Sequence, residues 1–187
     1  LKLFEIGGDL KFLRFAERLN NDLDNQCKGS KPGGYFMAPL DDTNEILKLR
    51  PKVIKETSVP CGNSLMIGNI SKFSMLNGNL DLLANCEGIV NEFSHLIPAH
   101  FFSVASMLNN SELIDGLSQI IIMSEKKCPI NDDFVSVYNS MPCLNSILII
   151  LGSDTQLPKS HPAFGKRMLE GKTTAYVCVG TTCLPPI

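Results

Sequence analysis

Apolar positions recur along this chain at two different periods, and the change from one to the other divides it. From Leu3 to Leu23, and again from Phe73 to Phe93, they fall at helical spacing. Each stretch is interrupted by a glycine with Asp or Asn after it. The two stretches lie seventy residues apart and match position by position: Gly8 with Gly78, Leu10 with Leu80, Leu13 with Leu83, Glu17 with Glu87. Each reads as helix, stop, helix. The glycine closes the first helix in the left-handed conformation, and the Asp or Asn caps the second. A helical hairpin repeated at a fixed period predicts a stack or closed ring of αα units.

Between the copies, from about Cys27 to Cys61, the helical period disappears. Pro32-Gly33-Gly34 signals a turn, Tyr35-Phe36-Met37 is strand-like, Asp41-Asp42 marks another turn, and Ile46 to Arg50 alternates weakly. This predicts a β-hairpin insertion at about 33–52, lying across one end of the helices. Pro98 is expected to stop one helix, with another beginning over Phe101–Leu108. Near Gly116 the pattern changes. Leu117–Met123 and Ser146–Leu151 are short β-branched runs flanking a helical Asp132–Ser140, the spacing of a βαβ unit, and Thr173–Cys178 reads as a last strand. The expected fold is mostly α: a helical-hairpin region over 1–116 carrying the insertion, then a small C-terminal α/β extension over 117–187.

Composition narrows the function classes. With 44% hydrophobic and 19% charged residues in 187, the chain has the makeup of a folded domain rather than a disordered one. A net charge of −2 gives no electrostatic reason to expect nucleic acid or an anionic membrane. The apolar runs are too short for a bilayer span. The opening Leu-Lys-Leu-Phe-Glu-Ile has neither initiator Met nor signal pattern and reads as the middle of a helix, so a longer parent chain is expected. Seven cysteines, an odd number without a C-x-x-C pair, favour a reducing, cytoplasmic setting. The sequons at Asn69 and Asn109 shift this little.

Arg50-Pro51-Lys52 with Glu56 is the leading candidate site. Arginine presents a planar fork of donors and lysine a point charge, while proline fixes the backbone between them; Glu56 is an acid or base, or a neutralising partner. Such a cluster suits a carboxylate, phosphate or polyhydroxyl ligand, and equally a structural ion pair. Pro60-Cys61-Gly62-Asn63-Ser64 sits at a helix start, where Asn63 or Ser64 caps free N–H groups and the same groups could receive an anion. Cys61 there is a candidate reactive thiol. Tyr35 offers a ring for stacking on a sugar, or for packing on the helices. Cys178 and Cys183 have the spacing of a turn-closing disulfide or of half a metal site, with paired burial at the strand end as the default. His95, His100 and His161 form no ligand pattern, and no glycine-rich phosphate loop or G-x-S-x-G is present. Neither metal nor cofactor is expected.

Several of these residues occur in a recognisable order. Gly33-Gly34-Tyr35-Phe36, Leu49-Arg50-Pro51-Lys52, Pro60-Cys61-Gly62-Asn63-Ser64 and the ending Thr174-Ala175-Tyr176-Val177-Cys178 to Cys183-Leu184-Pro185-Pro186 resemble motifs of the spermatogenesis-associated thioredoxin-domain family. The resemblance implies a parent with an N-terminal thioredoxin-like domain followed by an (α/α)6 toroid similar to N-acylglucosamine 2-epimerases and six-hairpin glycosidases. This chain would hold the last hairpins, a partial toroid, and the C-terminal extension. It departs from the family pattern at Cys61, where Ser is usual, and at Glu56-Thr57-Ser58, where Asp-Gly-Ala is common. Two functions follow. One is a pocket that binds or processes a carbohydrate or other small polar ligand through Arg50, Lys52, Glu56 and Asn63, completed by the missing N-terminal part of the parent. The other is a non-catalytic scaffold or protein-interaction module in which the same residues fasten the insertion to the helices. The first predicts those residues converging on an open concave surface; the second predicts them paired and occluded. Whether the protein is an enzyme is left open. A partial ring would also expose apolar surface and self-associate.

Overall fold

The computed structural model describes residues 1–7, 9–29, 33–40, 50–125, 133–141, 145–152, 157 and 159–187. The protein is mostly helical with one small sheet. In chain order its elements are α1 (Lys2–Gly7), α2 (Leu10–Cys27), α3 (Gly62–Asn77), α4 (Leu83–Phe93), α5 (Ile97–His100), α6 (Ala105–Gly116), β1 (Ser118–Met123), α7 (Asp133–Ser140), β2 (Ser146–Leu151), β3 (Thr174–Val179) and β4 (Thr182–Cys183). They form two compact units that interleave in sequence. The first holds Leu1–Arg14, Lys72–Leu80 and Gly116–Ile187, and the second Phe15–Ser71 and Asp81–Asp115.

In the first unit the strand order is β2-β1-β3-β4. β1 and β2 are parallel and joined through α7, so the apolar–helical–apolar spacing does form a βαβ crossover; β3 then pairs antiparallel to β1. Alternation along the strands gives the sheet two apolar faces. Ile122, Leu148 and Ala175 point to one, where Phe134, Val135 and Tyr138 of α7 cover them. Helix α1 packs on β2 and buries Phe4. Glu5 of the same helix is buried too, and is neutralised by Lys72 at 2.7 Å and Lys2 at 2.9 Å. Residues 126–132 and 142–144 lie outside the described residues.

The C-terminus of α3, also in this unit, is closed as its glycine predicts. Gly78 takes φ +62°, the Gly78 N–H reaches the Met75 carbonyl, and the Asn79 N–H reaches that of Ser74 at 2.9 Å. These are the two bonds of a Schellman motif. A Cβ on Gly78 would lie 2.2 Å from the Ser160 carbonyl oxygen, so glycine is demanded by space as well as by φ. In the first copy Asp9 caps α2 as expected, its Oδ1 accepting the Lys11 N–H at 2.9 Å, whereas Gly8 is not among the described residues. After Asn79 in the second copy a 3-10 turn at Leu80–Leu82 intervenes, and α4 itself starts at a Leu82 that makes no side-chain cap.

In the second unit, Met66, Ile67 and Ile70 of α3 pack with Cys86, Ile89 and Phe93 of α4 and with Val104 and Met107. Pro98 does not end a helix here. It lies in the first turn of the one-turn α5, where a missing N–H costs nothing, and a 3-10 turn at Phe101–Val104 leads into α6. The expected β-hairpin is reduced, among the described residues, to two single antiparallel bridges, Lys28↔Tyr35 and Phe36↔Lys52. Residues 41–49, including Asp41-Asp42 and most of the Ile46–Arg50 alternation, lie outside that description.

Candidate functional site

An insertion whose described residues make two single bridges needs other partners for its backbone, because buried N–H and C=O groups must be satisfied. Asn63, on the first turn of α3, supplies them. Its Oδ1 accepts the Tyr35 N–H at 2.7 Å, and its Nδ2 donates to the Tyr35 carbonyl at 3.0 Å and the Val53 carbonyl at 2.8 Å. One amide thus stands in for a neighbouring strand and joins both limbs of the insertion. Asn63 is only 5% exposed, and three of its four hydrogen-bonding positions are filled. Gly34 lets the chain approach this closely, since a Cβ there would sit 3.0 Å from the Asn63 Oδ1.

The cations are likewise turned to internal partners. Arg50 Nε donates to the Ala38 carbonyl at 3.0 Å and an Nη to the Gln26 carbonyl at 3.1 Å, with its guanidinium 4.3 Å from the Phe36 ring centre. Lys52 Nζ hydrogen-bonds to the Gly33 carbonyl, lies 3.4 Å from Glu92 and 5.1 Å from the same ring. Phe36 is therefore a shared platform for both cations. Glu56 does not join them. It caps the start of α6, its carboxylate accepting the Ser106 N–H at 2.7 Å while its own N–H reaches the Ser103 carbonyl at 2.8 Å.

Tyr35 is buried and donates its hydroxyl to Asp24 Oδ1 at 2.6 Å; burial and the Asp24 carboxylate both raise its pKa. Lys28 approaches Asp24 at 3.4 Å and Asn85 at 3.2 Å. Cys61 immediately precedes α3 and its thiol donates to the Val53 carbonyl at 2.9 Å. Ser64 is fully buried, with no partner for its hydroxyl among the described residues. The sequence expectation that Asn63 or Ser64 caps α3 is corrected: Asn63 reaches sideways to the insertion, and Ser64 faces inward. In the first unit, Cys178 and Cys183 are directly opposed on β3 and β4 and form a disulfide. Cys128 and Cys143 are outside the described residues; Cys27, Cys61 and Cys86 are free thiols.

Beside these contacts lies a cleft of about 610 Å³. Leu23, Tyr35, Phe36, Met37, Val53, Val59, Leu65 and Met66 make it mostly apolar, and Lys55, Thr57, Cys61, Asn63 and Asn69 give it a few polar groups. Its size is that of a small-ligand pocket. Tyr35, Phe36, Cys61 and Asn63 line it, whereas Arg50, Lys52 and Glu56 do not. The contributions of Asp24 and Glu92 escaped the sequence reading. Asp24 lies one helical turn before Lys28, a legible pairing, but the Lys52–Glu92 contact spans forty residues and has no local signal. Among the described residues no group of three or more His, Cys, Asp or Glu could hold a metal ion, and no helix is long and apolar enough to cross a membrane.

No family model matches this chain. It is similar along its whole length to human spermatogenesis-associated protein 20, with 26% identity over 193 residues, and to the rat and mouse proteins of that name at 24%. The matched region is 24% of each relative, so the chain spans about a quarter of the length of the curated relatives it matches.

Proposed function

We propose that this chain is a non-catalytic helical scaffold in which Arg50, Lys52, Glu56 and Asn63 brace the insertion against the helices. The observation that carries the reading is Asn63. Its buried amide is consumed by three bonds to the backbone of Tyr35 and Val53, leaving little capacity for a ligand. Arg50 and Lys52 likewise give hydrogen bonds to backbone carbonyls, and Glu56 is turned away to the start of α6. The scaffold belongs, on this reading, to a partial (α/α)6-type toroid of a longer protein that also carries a thioredoxin-like domain. The seventy-residue repeat of helix, turn and helix supports the toroid, and the similarity to relatives about four times as long supports a longer protein. Cytoplasmic placement is part of the same proposal; the odd cysteine count without a C-x-x-C pair supports it, and the Cys178–Cys183 bridge counts against it.

The alternative is a carbohydrate-binding or carbohydrate-processing pocket. It draws on the cleft, where Tyr35 and Phe36 adjoin Lys55, Thr57 and Asn69. A thermal-shift screen against sugars and sugar phosphates separates the two. The scaffold reading expects no saturable stabilisation, and expects Arg50→Ala to lower the melting temperature by itself. Saturable stabilisation that Lys55→Ala, a substitution in the cleft lining, abolishes while leaving the unliganded melting temperature unchanged would overturn it.

A further inference from the structure

The Cys178–Cys183 bridge is poorly placed to hold a core and well placed to hold an edge. The two cysteines are five residues apart, so the bond closes a short loop and removes little freedom from the unfolded chain. β3 does not depend on it: each of its residues pairs with β1, and Thr174, Ala175, Tyr176 and Cys178 are buried. The segment 182–187, on the other side of β3, is held differently. Each of its residues except Cys183 is exposed, Leu184 by 60% and Ile187 by 71%. Pro185 and Pro186 have no N–H to give. Besides the two-residue pairing of β4, it is fastened by the Leu184 N–H on the Val177 carbonyl at 2.8 Å, a reciprocal Ala175–Ile187 pair at 3.0 Å, and the disulfide. Exposed backbone bonds exchange readily for bonds to water, and a strand whose side chains stand in solvent frays. The disulfide thus decides whether the outer edge of β3 is covered.

Its two sulfurs are not equivalent. Cys178 is fully buried, opposite Gln119 in the sheet, whereas Cys183 is half-buried between exposed neighbours. A thiolate from solvent therefore attacks Cys183 Sγ. The S–S bond breaks, Cys178 leaves with the electron pair and takes a proton, and a mixed disulfide forms at Cys183. The second thiol of a dithiol reagent then attacks the reagent's own sulfur in that mixed disulfide and releases Cys183. The reagent ends as a disulfide, having given two electrons and two protons to the cysteine pair. The Cys183 thiol keeps one weak partner, the Pro162 carbonyl 3.5 Å away. In the reducing placement proposed above, a bridge in a chain whose Cys27, Cys61 and Cys86 are free is one that opens and closes. The exposure of Cys183 and the thin hold on 182–187 stand whatever the compartment. We infer that Cys178 and Cys183 are a reversible redox site whose co-reactant is a dithiol, and that its reduction releases 182–187 and bares the edge of β3.

Hydrogen exchange at single amides of the 187-residue chain tests this, with the bridge closed by oxidised glutathione and then opened by dithiothreitol without denaturant. The bridge should open with circular dichroism nearly unchanged, because β3 stays paired with β1. Exchange at Ala175, Leu184 and Ile187 should quicken at least about 10-fold, while the amides of Ile120, Ile121 and Ile122 stay protected. Oxidised glutathione should reverse the change. Reduced glutathione, a monothiol, should leave a mixed disulfide that peptide mapping places on Cys183. Cys183→Ser should show the fast exchange with no reductant; if that variant does not fold, the reduced native chain carries the same test. A bridge that never forms, one that opens only in denaturant, protection at Leu184 and Ile187 that survives reduction, or a mixed disulfide on Cys178 overturns the proposal.

Discussion

Acidification should destabilise the first unit through His161 before its carboxylates titrate. His161 is 3% exposed, and burial alone lowers its pKa from the ordinary 6.5 to about 4. Its Nδ1 accepts the Ala163 N–H at 3.0 Å, which leaves the neutral ring's proton on Nε2, 3.2 Å from the side-chain amide of Gln119. Turning the Gln119 oxygen toward that proton gives the buried amide oxygen the partner it otherwise lacks. Protonating Nδ1 would set a donor against a donor in a buried site. Between pH 6.5 and 4 the unfolded chain therefore binds a proton that the folded chain refuses, so stability rises with pH across this window. It is fully present above about 6.5. Each pH unit within the window costs about 1.4 kcal/mol, and about 3 kcal/mol is lost by pH 4. Glu5 acts in a different window. Burial pushes its carboxyl up, but Lys72 and Lys2 outweigh that and hold it below 4.5, so its contribution is lost only at lower pH. Urea unfolding from pH 7 to 4.5 should show this slope. His161→Asn, whose Oδ1 can still accept the Ala163 N–H, should flatten it whatever the variant's overall stability. A ring that titrates near 6.5 by NMR, or parallel pH profiles for the two proteins, would refute the argument.

Other consequences are equally direct. Asn63→Leu strands the Tyr35 N–H and two backbone carbonyls, and should cost about 3 kcal/mol or more in chemical denaturation; a loss below about 1 kcal/mol would mean that the insertion is held by other contacts. Gly78→Ala combines left-handed strain with overlap on the Ser160 carbonyl, and should destabilise by at least about 2 kcal/mol. Calorimetry showing a neutral effect would contradict the close approach. The Cys178–Cys183 bridge closes a short loop, so replacing both cysteines with alanine should cost only about 2 kcal/mol, and reduction of the native chain the same.

Periodicity in the sequence was enough to locate the helices of both hairpin copies and the βαβ unit. Each is a local pattern whose apolar period of 3.6 or 2 selects its own backbone. The Gly78 turn was legible for the same reason, as a left-handed residue ending a helix. The insertion was not. A strand-like Tyr35-Phe36-Met37 suggested a ladder, but its backbone is satisfied by a side chain from α3, and no pattern within 33–52 announces Asn63 as its partner. Glu56, Arg50 and Lys52 looked like one charged cluster because they are close in sequence. Tertiary structure separates them, since Glu56 meets a helix start fifty residues away and the two cations converge on Phe36. The sequence by itself determined the longer helices and the βαβ strands, but not the course of the chain at Pro98 or in the insertion. Which face of α2 is bare, what each charged group pairs with, and how His161 comes to be buried neutral were decided only by tertiary packing. Burial and long-range pairing are properties of residues far apart in the chain, and no local spacing encodes them.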